Sequence, residues 1–173
     1  SGSVDFGGAV GGSFALGAVA ITAATTTNSS TWVGSSTLGI TGNAVINGAI
    51  SGITTLTVSG TTSLGANVTT TAVGGQTYSG AVTITGSAVT LSSSSNNGVV
   101  LFSSTVNSAA NAANPLTVSA GSGNVTFTGI VGGATNGALG ALTVNSSGTT
   151  TFSAAVTAAS VTTDSGGTTA ING

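Results

Sequence analysis

Two carboxylates, Asp5 and Asp164, are the only side chains in this 173-residue chain that carry charge at neutral pH. A carboxylate pair is the minimal equipment for general acid–base hydrolysis, and carboxylates also anchor calcium. These two stand near opposite ends of the chain, and calcium asks for six to eight oxygen ligands. Each is therefore expected on a strand exterior or in a turn. Serine and threonine hydroxyls abound, but no histidine or lysine exists to activate one, and there is no cysteine to act as a thiolate. The glycine-rich run from Gly129 to Gly133 is not a phosphate loop, because no lysine follows and no helix opens there. The sequence thus predicts no catalytic residue, no cofactor site and no metal site, and a protein that is not an enzyme.

Weaker chemical signals remain. Asn28, Asn67, Asn124 and Asn145 each head an Asn-X-Ser/Thr acceptor sequence for glycosylation. Chance occurrences are expected in a chain so rich in these residues. Thr-X-Thr patterns recur at Thr55-Leu56-Thr57, Thr69-Thr70-Thr71, Thr83-Ile84-Thr85, Thr126-Phe127-Thr128 and Thr149-Thr150-Thr151. On a flat face such ranks can bind ice, although Thr is also the least demanding uncharged residue on the outside of a strand. Trp32, Tyr78, Phe6, Phe14, Phe102, Phe127 and Phe152 could line a sugar-binding groove, so surface glycans are possible partners. The simpler expectation is that they fill corners or stack inside the fold, with Phe6 equivalent to Phe127 and Phe127 one repeat from Phe152.

The elements that must position these residues are strands. Leu56-Thr57-Val58, Val82-Thr83-Ile84, Val89-Thr90-Leu91, Leu116-Thr117-Val118, Val125-Thr126-Phe127 and Leu142-Thr143-Val144 all alternate apolar, Thr, apolar. That places two apolar side chains on one face and Thr on the other, as a half-buried strand requires. Gly11-Gly12, Ser59-Gly60, Gly74-Gly75, Asn96-Asn97-Gly98, Gly132-Gly133, Ser147-Gly148 and Gly166-Gly167 punctuate these segments with turn residues. Pro115 fits a strand start, where its missing N–H costs least.

Composition narrows the class. The formal charge of −2, with no Lys or Arg, excludes binding to nucleic acid, which rests on cations neutralising phosphates. It excludes anionic lipid surfaces for the same reason. The mean hydropathy of +0.54 comes from scattered Ala and Val. The densest apolar stretch, residues 17–24, is far shorter than the roughly 20 residues of a membrane-spanning helix. One Trp and one Tyr cannot supply the aromatic girdles of an outer-membrane barrel. Near-zero charge favours self-association. With no methionine anywhere, the chain is expected to be processed or an internal segment.

Internal repetition suggests how the strands are arranged. Residues 1–12 match 122–133, 51–56 match 147–152, and 70–75 match 168–173. The offsets are 122 − 1 = 121, 147 − 51 = 96 and 168 − 70 = 98, and the 25-residue difference between the first two reads as one inserted coil. Leu116 to Leu142, Phe127 to Phe152 and Leu56 to Val82 repeat nearly the same spacing. These numbers predict one all-β domain over residues 1–173, a parallel β-helix (β-solenoid) with rungs of about 25 residues and roughly seven rungs. Right-handed coiling is expected from the handedness of parallel crossovers. Neither end carries an obvious cap, so the solenoid is expected to continue in a longer chain or to associate with other copies, through its end rungs or through lateral Thr and Asn faces.

Four segments carry a resemblance: TTDSGGTTAING (162–173), QTYSGAV (76–82), GNVTFTG (123–129) and LTVNSSGTTTF (142–152). They resemble the repeats of giant bacterial exoproteins, namely filamentous-haemagglutinin-like proteins and autotransporter-like passenger regions. The resemblance implies a secreted, right-handed β-helical fibre at the cell surface that serves adhesion, aggregation or matrix formation. The secretion domain heading such proteins carries Asn-Pro-Asn motifs, and Asn114-Pro115-Leu116 is not one. The resemblance therefore points to the shaft.

Overall fold

The computed structural model describes residues 2–164 and 166–173. Their strands join into one 18-stranded sheet in which every registered pair is parallel. Non-consecutive strands pair throughout, so the chain coils and each turn lies on the one before it. The all-β parallel solenoid expected from the alternation is the fold observed.

Each turn visits three faces in a fixed order. The first can be called the valine face. Its stacked inner positions are Val4, Thr26, Ala44, Thr62, Val82, Val106, Val131 and Val156. The second, the leucine face, stacks Val10, Trp32, Ile50, Val68, Leu91, Val118, Val144 and Thr163. The third, the aromatic face, stacks Ile21, Ile40, Val58, Tyr78, Phe102, Phe127, Phe152 and Ile171. Eight levels on each face make a rod about 34 Å long, from seven steps of about 4.8 Å.

Alternation explains the local structure. In all six apolar-Thr-apolar triplets the two apolar residues are buried and the Thr is not. Inward side chains from the three faces meet in one apolar core running the length of the rod. Pro115 immediately precedes the strand Leu116–Gly121, as its chemistry requires.

Coil length is not constant. Along the aromatic face the steps Leu38–Leu56, Leu56–Gln76, Gln76–Val100, Val100–Val125 and Val125–Thr150 span 18, 20, 24, 25 and 25 residues, and Thr150–Thr169 returns to 19. The expected 25-residue rung holds only for the middle of the rod, and there are eight levels rather than seven. The extra length sits in corners, such as the 3-10 turn Ser94–Asn96 between the leucine and aromatic faces. One corner changes only in the first coil, where Ile21–Thr26 takes five residues across a register shift. Four residues lead from the aromatic face to the valine face at Ile40–Ala44, Val58–Thr62, Tyr78–Val82, Phe102–Val106, Phe127–Val131 and Phe152–Val156.

Three sequence-based equivalences fail. Leu56 pairs with Gln76 and Val82 with Thr62, so the 26-residue spacing of Leu56 and Val82 is not a coil. Val4–Phe6 lies on the valine face, whereas its match Val125–Phe127 lies on the aromatic face. Phe6 stacks over Asn28 and is not part of the Phe127 column. Likewise Thr70 lies on the leucine face and its match Thr168 on the aromatic face. Every face imposes the same inward–outward–inward requirement, so similar triplets occur on different faces and similarity alone does not identify which.

Corner geometry gives the first prediction. Gly132 has φ +70°, and a Cβ there would run into the carbonyl oxygen of Thr157 in the next coil. Gly132→Ala should lower stability by at least about 1–2 kcal/mol, the left-handed backbone penalty alone. Gly17, with open space around its Cβ direction, should tolerate Ala within about 0.5 kcal/mol. Urea denaturation midpoints of the two variants check this.

Candidate functional site

The interior holds the most ordered set of side chains. Tyr78, Phe102, Phe127 and Phe152 form a stack with centroid separations of 5.3, 4.8 and 5.0 Å and interplanar angles of 11°, 11° and 12°. Parallel in-register strands hold equivalent side chains one above another, so rings near 5 Å apart follow from the strand spacing itself. The stack starts where the coils widen. Narrower coils above it hold Val58 and Ile40 in the same column. At the narrow end Phe6 and Trp32 meet edge to face at 5.1 Å and 78°.

A polar node marks the transition. The Tyr78 hydroxyl donates to Gln76 Oε1 at 2.8 Å, and Gln76 Nε2 donates across the core to the carbonyls of Val68 (3.2 Å) and Ser92 (3.0 Å). Both side chains are fully buried. The ladder that Gln76 reaches is only two residues long, Val68–Thr69 against Leu91–Ser92. Its amide thus ties the leucine face to the aromatic face where the leucine-face ladder is short. Burial pushes the Tyr78 phenol well above its ordinary pKa. Other buried polar atoms have no hydrogen-bond partner among the described residues, including the Oγ1 atoms of Thr26, Thr62 and Thr70 and the Trp32 indole nitrogen.

Asparagines stitch coil to coil at the corners. The Oδ1 atoms of Asn43, Asn67, Asn97, Asn107 and Asn124 accept from the backbone N–H of Thr61, Thr90, Ser122, Ala134 and Thr149 at 2.8–3.0 Å. Each donor lies about one coil further along, so the side chain satisfies an amide that leaves the ladder at a corner. All four acceptor-sequence asparagines are engaged between coils. Asn28 is buried and donates to Gly48 O (2.8 Å), Asn145 donates to Ser119 Oγ (3.4 Å), and Asn67 and Asn124 belong to the set above.

The remaining candidates scatter. Asp5 lies in the first strand of the valine face and accepts from Ser29 Oγ at 3.2 Å. Asp164 follows the last strand of the leucine face. They stand at opposite ends of the rod, too far apart to act on one substrate. Of the aromatic residues only Phe14 is prominently exposed, at 86%, so no aromatic groove forms. Thr-X-Thr pairs do not build a two-file array. Thr85 and Thr128 are corner residues whose N–H groups donate to Leu64 O and Phe102 O of the preceding coil. One single file does form outside the leucine face, from Thr90 through Thr117 and Thr143 to Thr162. At the C-terminal end the interior opens as a cavity of about 400 Å³ lined by Phe152, Ala154, Val156, Val161 and Ile171 among others. Compared with family models, with curated proteins and with solved structures, the chain finds no match.

What the arrangement offers is packing, and two predictions follow from its centre. Phe127→Ala, which removes a ring from the middle of the stack, should cost about 3–5 kcal/mol in denaturant unfolding. Tyr78 supplies a pH test. Its folded pKa is raised, so its stabilising contribution is complete below the unfolded value of about 10 and is lost as pH climbs above it. The expected slope is about 1.4 kcal/mol per pH unit. The chain has one Tyr and no Lys or Arg, so a phenolate absorbance near 295 nm should appear only with unfolding, and Tyr78→Phe should remove the alkaline slope.

Proposed function

We propose that this chain is a non-enzymatic structural element, the shaft of a secreted bacterial surface fibre of the filamentous-haemagglutinin-like kind. The observation that carries this reading is the unbroken column of stacked side chains through eight coils, beneath a surface with almost no charge and no convergent chemical groups. Such a rod transmits force. Load along its axis falls on three parallel ladders at once, and bending must compress a close-packed core. An adhesin shaft or a biofilm-matrix filament needs those properties, because its task is reach rather than turnover.

All four segments that carry the resemblance to giant exoproteins, 76–82, 123–129, 142–152 and 162–173, contain an aromatic-face strand, and the first crosses the next corner to Val82. The resemblance therefore rests on residues that make the stack. A second reading, a binding module for ice or glycans, is favoured only by the Thr90–Thr117–Thr143–Thr162 file. In that case thermal hysteresis or glycan-array binding should be measurable and should vanish when Thr117 and Thr143 are replaced by Val.

Immunogold labelling of the source cells tests the shaft reading. Label along fibres outside the envelope is the expected result, and cells lacking the protein should adhere or aggregate less. Label confined to the cytoplasm would overturn it.

A further inference from the structure

We propose that the Asn136-Gly137 corner is a site of spontaneous deamidation, a slow self-modification that places a carboxylate on the outside of the rod. The chain contains four Asn-Gly pairs, at 47–48, 97–98, 136–137 and 172–173. In such a pair the glycine nitrogen, with no side chain beside it to obstruct the approach, attacks the Cγ of the asparagine. A new N–Cγ bond forms as the nitrogen loses its proton, the Cγ–Nδ2 bond breaks, and Nδ2 departs as ammonia. Water then opens the cyclic imide at one carbonyl or the other, which leaves aspartate or isoaspartate. No oxidant or reductant is consumed.

The attack needs the asparagine side chain and the glycine N–H free together, and the fold restrains the three pairs within the coils unequally. At Asn47-Gly48 both N–H groups donate to Asn28 O of the preceding coil, at 2.8 and 2.9 Å, and Asn28 Nδ2 donates to Gly48 O at 2.8 Å. Freeing that nitrogen means parting two coils. At Asn97-Gly98 the side chain is committed, because its Oδ1 accepts from Ser122 N at 2.9 Å, and Gly98 N–H donates to Ser93 O at 2.8 Å. At Asn136-Gly137 the restraint on the reacting groups is local. Gly137 N–H donates to Ala134 O, three residues back, at 2.8 Å. Residues 133–136 are all exposed, and among the described residues no side-chain hydrogen bond holds Asn136. The bonds to the preceding coil, from Asn111 N–H to Asn136 O and from Ser108 N–H to Gly137 O, both 2.9 Å, hold carbonyl oxygens that neither form nor lose a bond in the cyclisation. Opening one exposed turn costs far less than separating coils.

The product is conspicuous because its surroundings are neutral. No charged side chain lies between Asp5 and Asp164, so conversion takes the net charge from −2 to −2 − 1 = −3. The new carboxylate stands on the outer corner between the valine and leucine faces. Asn136 has φ +57°, a conformation that aspartate also tolerates, so the fold accommodates the product. Copies that associate through their near-zero charge should repel one another more once converted.

The test ages the full folded chain in mildly alkaline buffer beside a urea-unfolded control. Isoelectric focusing reads the added charge. Chymotryptic mapping by mass spectrometry locates it, since cleavage at Phe127 and Leu139 isolates Asn136 from the other pairs. In the folded chain Asn136 should convert at least about tenfold faster than Asn47 or Asn97, and in urea the three should convert at comparable rates. The first acidic band should focus with Asn136→Asp, whose fold circular dichroism verifies. Conversion of Asn47 or Asn97 as fast as Asn136 in the folded chain overturns the proposal. So does a preference for Asn136 that survives in urea, because the fold would then not be its cause. Neither result bears on the shaft reading.

Discussion

Everything in this molecule depends on each coil supplying hydrogen-bond partners to the next. A parallel ladder satisfies backbone groups only if its neighbour lies in register, and here the register persists even at the constant corner. The N–H groups of Ser59, Ser79, Ser103, Thr128 and Ser153 donate to the carbonyls of Ile40, Val58, Tyr78, Phe102 and Phe127 at 2.9–3.0 Å. With that corner fixed from the second coil onward, the inner columns there cannot drift, and rings near 5 Å apart become unavoidable. Variation in coil length is pushed to the other corners, where asparagine side chains replace missing ladder bonds.

That constraint also accounts for the composition. On the valine face of the narrow N-terminal coils the inward residues are small, Thr26, Ala44 and Thr62, and they leave room for Trp32 on the neighbouring face, whereas the wider coils hold a column of phenyl rings. Outside, each residue sits over its own counterpart one coil away, so a charge repeated there would face a like charge at about 4.8 Å. Thr, Ser and Asn avoid that repulsion, and their hydroxyls and amides bond to neighbouring coils instead. An almost uncharged chain is therefore consistent with this fold, where it would be puzzling in a globular enzyme.

Much of the fold was legible because inward and outward positions alternate with period two. Leu116-Thr117-Val118 and Leu142-Thr143-Val144 stack as their 26-residue spacing indicates. A sharper signal lay unused in the constant corner. Its pentapeptides are Ile-Thr-Gly-Asn-Ala (40–44), Val-Ser-Gly-Thr-Thr (58–62), Tyr-Ser-Gly-Ala-Val (78–82), Phe-Ser-Ser-Thr-Val (102–106), Phe-Thr-Gly-Ile-Val (127–131) and Phe-Ser-Ala-Ala-Val (152–156). Each has an inner apolar residue, a hydroxyl residue, two spacers and an inner residue of the next face. Aligning these would have revealed the growth of the coils from 18 to 25 residues and kept Phe6 out of the aromatic column. The Gln76–Tyr78 node was not legible, since a lone Gln between Thr-rich strands reads as an outward polar residue.

By itself the sequence determined the class of structure and excluded most chemistry, because alternation fixes which side chains share a face and absent residue types cannot be supplied by folding. It also determined that Phe127 and Phe152 stack, since equal spacing in a coil means vertical alignment. Only the tertiary structure decided which of three faces each triplet occupies, for all three make the same demand on their residues. It alone decided where the corners lengthen, which backbone amides the asparagines must satisfy, and that Gln76 crosses the core. Those are properties of distances between coils, and no local pattern of residues encodes them.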